Sequence, residues 1–207
     1  MDMTLFPTKG NLIVAKNSLA LSRQGYELLD KKRNILVREM MNLVDKAKVI
    51  QDEILVVFEE AYRALQEANV SLGISAVQQI GYAIPEEEGV RIREQSVMGV
   101  EIPAVTLEED VEMAPRYGFR MTNSNLDIAR QKFEKLKKLC AQLAEIENGV
   151  YRLATNIRRT MKRTNALKNI MIPKYEEITT TISNVLEEKE REEFSRLKVI
   201  KRVKGAG

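Results

Sequence analysis

The chain has 207 residues, of which 30% are charged and 5% aromatic, with no Trp, no His and a single Cys. That is lean material for a compact core, and it suits long helices instead. One Cys excludes an intramolecular disulfide; without His, zinc and haem sites of the usual kinds and His-dependent acid–base pairs fall away too. The formal charge of +3 is a small difference between 33 basic and 30 acidic residues, so no pervasive nucleic-acid-binding field is expected, and few aromatics sit beside the basic clusters to stack bases. The longest fully apolar run, Ile54 to Phe58, is too short to span a bilayer, and Met1 to Gly10 lacks a signal-peptide core, so a soluble cytosolic product with no membrane insertion is expected. No cofactor is expected.

Thr8, just after Pro7, signals a helix start. From there an apolar stripe alternates steps of three and four residues: Leu12, Ala15, Leu19, Ser22, Tyr26, Leu29, Arg33, Leu36, Met40, Leu43, Ala47, Ile50, Ile54, Val57, Ala61, Ala64 and Ala68. Its mean step holds one seam against a partner helix and implies left-handed supercoiling. The predicted helix covers 8–70 and would span roughly 85 Å at its ordinary rise.

Residues 71–121 read as a small head, because Gly73, Gly81, Pro85, Gly89, Gly99, Pro103, Pro115 and Gly118 break any helical period. Ser75 to Ile80 predicts a turn or two of helix. Val90, Ile92 and Glu94, then Met98, Val100 and Ile102, alternate around Gln95-Ser96 and predict a β-hairpin over 89–103. Two strands do not stand alone in water, so the hairpin must lean on the helices or on a partner.

A second helix is predicted over 122–200, with Ser124 and Asp127 approximating a capping box. Its stripe runs Leu126, Ala129, Phe133, Leu136, Cys140, Leu143, Val150, Ala154, Ile157, Met161, then in shifted register Leu167, Met171, Ile178, Ile182 and Val185. Cys140 is therefore expected as a buried thiol, and Pro173 as the site of a kink. Asn148-Gly149 reads either as a soft spot or as a point of close packing. The whole is mainly α: the N- and C-terminal segments form a long antiparallel two-helix coiled coil, with a short helix and a short hairpin in the head.

If Ala68 and Leu126 are level, antiparallel partners have numbers adding to about 194. Lys31, Lys32, Arg33 and Arg38 then meet Arg158, Arg159, Lys162 and Arg163 as a basic belt, or simply form a solvated face. The end of the second helix passes beyond the first as a tip, carrying Phe194, Leu197, Lys198, Lys201 and Arg202 and supported by i,i+4 pairs such as Glu187 with Arg191 and Glu192 with Arg196. Residues 201–207 make a basic, flexible tail.

Several of these residues together resemble one family, the D subunits of V-type (vacuolar, archaeal-type and bacterial) ATPases and ATP synthases. The resemblance rests on Pro7-Thr8-Lys9, Leu12, Leu19, Gly25, Leu28-Leu29 and Lys31 to Arg33; on Ser96 to Val100 and Tyr117-Gly118-Phe119; and on Arg163 to Leu167, Ile172-Pro173, Ile182, Leu186 to Glu188 and Arg191 to Lys198. Gly25, Asn165 and Pro173 are not heptad residues, which makes their placement specific. The resemblance implies a non-catalytic central-stalk rotor that carries torque between a hexamer of catalytic and regulatory subunits and an ion-translocating membrane ring. It implies as partners that A/B hexamer, the small F subunit of the stalk and the socket subunit on the ring, at the cytoplasmic face of the membrane. Under it the belt faces the hexamer, and Val56, Phe58 and Leu65 become candidates for the small-subunit interface, their other reading being intramolecular core. A helical hairpin of this kind also describes a prefoldin-like chaperone subunit, whose tips would grip unfolded chains and be more apolar than these.

Overall fold

The computed structural model describes residues 6–84, 89–107, 117–118 and 122–205. Pro85, Pro115, Phe119 and the last two residues of the expected tail lie outside them. Helix α1 is Lys9–Leu72 and α2 is Ile74–Tyr82; strands β1, Val90–Val97, and β2, Val100–Leu107, follow; then α3, Ser124–Ala166, a π-helical segment, Leu167–Met171, and α4, Ile172–Lys204. Every position of the first stripe from Leu12 to Ala68 is buried or half-buried. The chain divides into two compact units: residues 1–34 with 158–207, and residues 35–157.

In the first unit, the start of α1 runs antiparallel to α4. The backbone N–H of Asn11 donates to Thr8 Oγ1 at 3.2 Å, the expected cap. Lys9 pairs with Glu190 at 2.8 Å and Arg23 with Glu176 at 2.6 Å. Beneath these pairs Ala15, Ile178 and Ile182 are buried, with Leu12, Tyr175 and Leu186 against them. Each buried Ile contributes on the order of 2 kcal/mol, far more than the exposed ion pairs beside it.

Pro173 does not break the helix. It enters in the first turn of α4, immediately after the π segment, where Ile172 N–H reaches back five residues to the Leu167 carbonyl. The wider turn absorbs a residue next to the missing donor, so the expected register shift falls here: Leu167, Met171 and Tyr175 are half-buried at two four-residue steps in succession. Before it, Met161 is exposed and Thr160 takes the buried position, which corrects the predicted stripe.

In the second unit, the remainder of α1 pairs with α3. Glu60 accepts from Lys132, and Glu53 pairs with Lys135 at 2.8 Å, over a core of Val57, Leu136 and Leu139. Cys140 is exposed, and so is Ala154; Leu139 and Leu153 hold the seam instead. The predicted stripe takes a four-residue step where the helix takes three, because Cys140 and Ala154 are themselves apolar. At the end of this unit Gly73, with φ 85°, closes α1 and lets α2 turn so that Val77 and Ile80 cover Ala68, Tyr117 and Leu126. The cap of α3 is Asn123 rather than Ser124: Leu126 N–H donates to Asn123 Oδ1 at 3.1 Å, while Asp127 is engaged elsewhere.

The hairpin does not turn at Gln95-Ser96. Those residues lie inside β1, opposite Ile102 and Glu101, and the turn is Met98-Gly99. Both turn residues have positive φ, 52° and 76°, the signature of a two-residue turn whose twist matches the strands. β2 is the inner strand. Val100 is buried with Leu36, Leu153 and Ile157, and Val105 N–H donates to the Glu145 carboxylate at 2.8 Å. Arg152 donates to the Glu101 carbonyl at 3.0 Å.

Gly149 explains how closely β2 sits. A Cβ there would lie 3.0 Å from Ile102 Cγ2 and 3.3 Å from Leu43 Cδ1, so this glycine serves close packing. Gly149→Ala is expected to be nearly neutral, since roughly 1 kcal/mol of helix propensity offsets the crowding. Gly149→Leu is expected to cost about 2–3 kcal/mol by displacing the hairpin, as urea unfolding would register.

Candidate interaction surfaces

The described residues hold no group of His, Cys, Asp and Glu able to bind a metal, and no helix long and apolar enough to cross a membrane. The candidate sites are groups of exposed side chains on the helices and the hairpin. Within the first unit, Gly25 faces Leu167, its would-be Cβ 3.7 Å from Leu167 Cδ1, and this places Lys31 to Arg33 level with Arg159 to Lys162 on the antiparallel helix. Lys31, Arg158, Arg159, Lys162 and Arg163 are exposed; Lys32 and Arg33 are half-buried, and Arg33 is bound to Asp30 at 2.7 Å. Arg38, also exposed, belongs to the other unit. A second feature of the first unit goes beyond the sequence-based expectations: Val14, Leu21 and Leu28 are exposed at seven-residue spacing on the outer side of α1.

The end of α4 is exposed along its whole length from Glu187 to Gly205. Phe194, Leu197, Val199, Ile200 and Val203 stand out of it beside Lys198, Lys201 and Arg202. The expected pairs Glu187–Arg191 and Glu192–Arg196 form at 3.8 and 3.6 Å. Lys9 holds the Glu190 carboxyl below the usual carboxylate range and is itself raised by the same hydrogen bond.

In the second unit Val56 and Phe58 are exposed, with Leu55 and Tyr62 near them in sequence, and Leu65 is half-buried. Phe58 packs against Tyr62 with ring centroids 4.4 Å apart and planes tilted by 40°, and Tyr62 meets Phe133 edge-on at 5.5 Å. This apolar ridge crosses from α1 to α3. On the hairpin, Val90, Ile92 and the turn residue Met98 are exposed, whereas Val100 is buried and Ile102 half-buried.

A latch at the end of the second unit is equally unannounced by the sequence, because no periodic pattern links its residues and one of its bonds, Asn123 to Ser71, joins positions 52 apart. Tyr117 hydroxyl donates to Asp127 Oδ1 at 2.6 Å, Arg130 lies 5.9 Å from the ring centroid, and Asn123 donates to Ser71. Burial, then the bond to Asp127, pushes the Tyr117 phenol up, with Arg130 opposing. Tyr117→Phe is expected to cost about 1 kcal/mol. The unfolded phenol ionises near pH 10 while the native one keeps its proton, so Tyr117's contribution is complete below about pH 10 and is lost as pH rises through the raised native value. Comparing alkaline melts of the two chains measures that loss.

Paired helices, a docked hairpin and exposed apolar ridges define a helical-hairpin protein of elongated elements. A family model described as the ATP synthase D subunit matches residues 11–202. The chain is 47% identical to the V-type ATP synthase D subunit of Thermotoga neapolitana, over 96% of this chain and 98% of that one. It is 34% identical to the A-type ATP synthase D subunit of Pyrococcus abyssi, over 95% and 93% of the two chains, and 37% identical to the A-type D subunit of Methanobrevibacter smithii, over 94% and 85%. The chain belongs to the family of ATP synthase D subunits.

Proposed function

We propose that this chain is the non-catalytic central rotor of a V-type ATPase or ATP synthase, carrying torque between nucleotide turnover in a hexamer and ion movement through a membrane ring. The observation that carries the reading is the pairing itself: one helix of 64 residues, set against α4 in the first unit and α3 in the second, in a chain with family membership across almost its full length. Two supercoiled helices resist twisting and bending better than one, and the apolar seam keeps them in register under load.

In this reading the unit containing the chain ends enters the hexamer of catalytic and regulatory subunits. Phe194, Leu197, Lys198, Lys201 and Arg202 form the bearing tip, and Lys31, Lys32, Arg33, Arg158, Arg159, Lys162 and Arg163 form a collar toward acidic loops, with Arg38 extending it. The small stalk subunit takes the ridge around Val56, Phe58 and Leu65, and the socket subunit on the ring receives the end near α2. The complex sits on the cytoplasmic face of the membrane.

Affinity purification of the tagged chain from its own cells at moderate salt, with mass spectrometry of what comes with it, tests this. Recovery of the nucleotide-binding subunits in excess, with one small partner, supports the rotor. Recovery of a diverse set of unfolded or nascent chains instead overturns it in favour of a prefoldin-like chaperone.

A further inference from the structure

The first unit contains a stretch where the seam changes character. Between Lys16 and Asn34 on α1, and between Arg158 and Lys174 on the opposing helix, the only buried residues among those described are Ser22, Thr160 and Thr164. The unit's apolar cluster lies elsewhere, at Leu12, Ala15 and Tyr175 to Leu186. Ser22 hydroxyl donates to the Ser18 carbonyl at 2.7 Å and Thr164 hydroxyl to the Thr160 carbonyl at 2.9 Å, each within its own helix. Opposite Gly25, the π segment begins, and none of its five residues is buried.

We infer that this stretch is a torsional joint, a place where the two helices change their mutual twist at low cost. Three physical effects converge there. Hydroxyls satisfied by their own helix remain satisfied when the helices turn against each other, so twisting strands no polar group. The buried seam residues here, Ser22, Thr160 and Thr164, give up little apolar burial when the twist changes, and the half-buried Leu19, Tyr26, Leu29, Leu167 and Met171 have less to lose than the buried Ile178 and Ile182. A π turn has weaker, wider hydrogen bonding than the α-helix around it, and often marks a place of adaptation. The cross-helix ion pair Arg23–Glu176, close to the stretch, is largely exposed, with two flexible side chains that follow a modest rotation. That the joint stores and releases torque rests on the rotor reading; that it exists does not.

The test is amide hydrogen exchange on the full chain, unmodified and as the variant Ser22→Ala/Thr160→Val/Thr164→Val. In the unmodified chain, amides of residues 19–29 and 160–171 are expected to exchange about tenfold or more faster than those around Ile178 and Ile182. The triple variant, with an apolar seam and no hydroxyl bonded back to its own helix, is expected to close most of that difference. Equal protection in the unmodified chain, or unchanged exchange in the variant, overturns the joint. In the assembled complex, single-molecule rotation adds the second arm: the variant is expected to narrow the angular fluctuation of the rotor at rest. Slowed exchange with an unchanged angular spread overturns the torsional role while leaving the rotor reading intact, and a complex that never assembles with either chain counts against the rotor reading alone.

Discussion

Leu153→Ala is expected to destabilise the chain by about 3–5 kcal/mol, the largest effect of any single truncation here. Leu153 is wholly buried, and so is Leu36 across the seam; with Ile157 and the hairpin residue Val100 they form one cluster, joined by Met40, Leu43 and Ile102. Truncation leaves a cavity that α1, α3 and β2 all border, and three separate elements cannot collapse into it together. Urea unfolding measures the loss, and hydrogen exchange is expected to show β2 amides opening before those of the seam around Val57 and Leu136. The neighbouring Ala154 and the more distant Cys140 supply the contrast, because both are exposed. Cys140→Ala is expected to fall within about 0.5 kcal/mol of the parent, whereas Leu139→Ala costs about 2–4 kcal/mol.

Under the rotor role proposed above, neutralising Lys31, Lys32, Arg158 and Arg159 together, as glutamines, is expected to slow association with the nucleotide-binding hexamer by about 10–100-fold at low ionic strength. The effect should shrink as salt is raised, because the Debye length falls from about 30 Å at 0.01 M to about 8 Å at 0.15 M. Arg33 is left in place: it is half-buried and bound to Asp30, so its removal would mix a fold defect with the charge effect. Stopped-flow association at several salt concentrations checks this. A rate that is independent of these four charges would discard the collar. Long-range steering suits the proposed rotor, which would pass equivalent positions in turn, since it imposes no one locked geometry.

The seam of α1 is legible residue by residue because its period is carried by the chain alone and its polar exceptions are isolated. α3 is harder. Cys140, Ala154 and Met161 compete with Leu139, Leu153 and Thr160 for the same seam; in the first two pairs both members are apolar, so a four-residue step passes over the leucine that the three-residue step takes, and in the third the buried Thr160 has no hydropathy signal at all. The hairpin is visible in the alternation of its strands, but its turn lies three residues beyond the place the sequence suggests: Gln95-Ser96 look like turn residues, while Gly99 is what permits the left-handed geometry at Met98-Gly99. Pro173 is visible as a helix-disturbing residue, whereas the π segment that precedes it has no sequence signal of its own. The Tyr117–Asp127 latch and the Phe58–Tyr62–Phe133 ridge depend on which helix faces which, and no local pattern carries that.

The hairpin also bears on how the chain survives before it meets any partner. Among the described residues the sheet has two strands, β1 and β2, and a strand at the rim of so small a sheet is where pairing between copies would start. The sequence of β1, Val90 to Val97, interleaves Arg91, Arg93, Glu94, Gln95 and Ser96 with only three aliphatic side chains. Charges on both faces of an edge strand make stacking of identical copies unfavourable, because like groups would be brought level along the fibre. The charges written into this strand thus work against edge-to-edge polymerisation of a freshly synthesised chain.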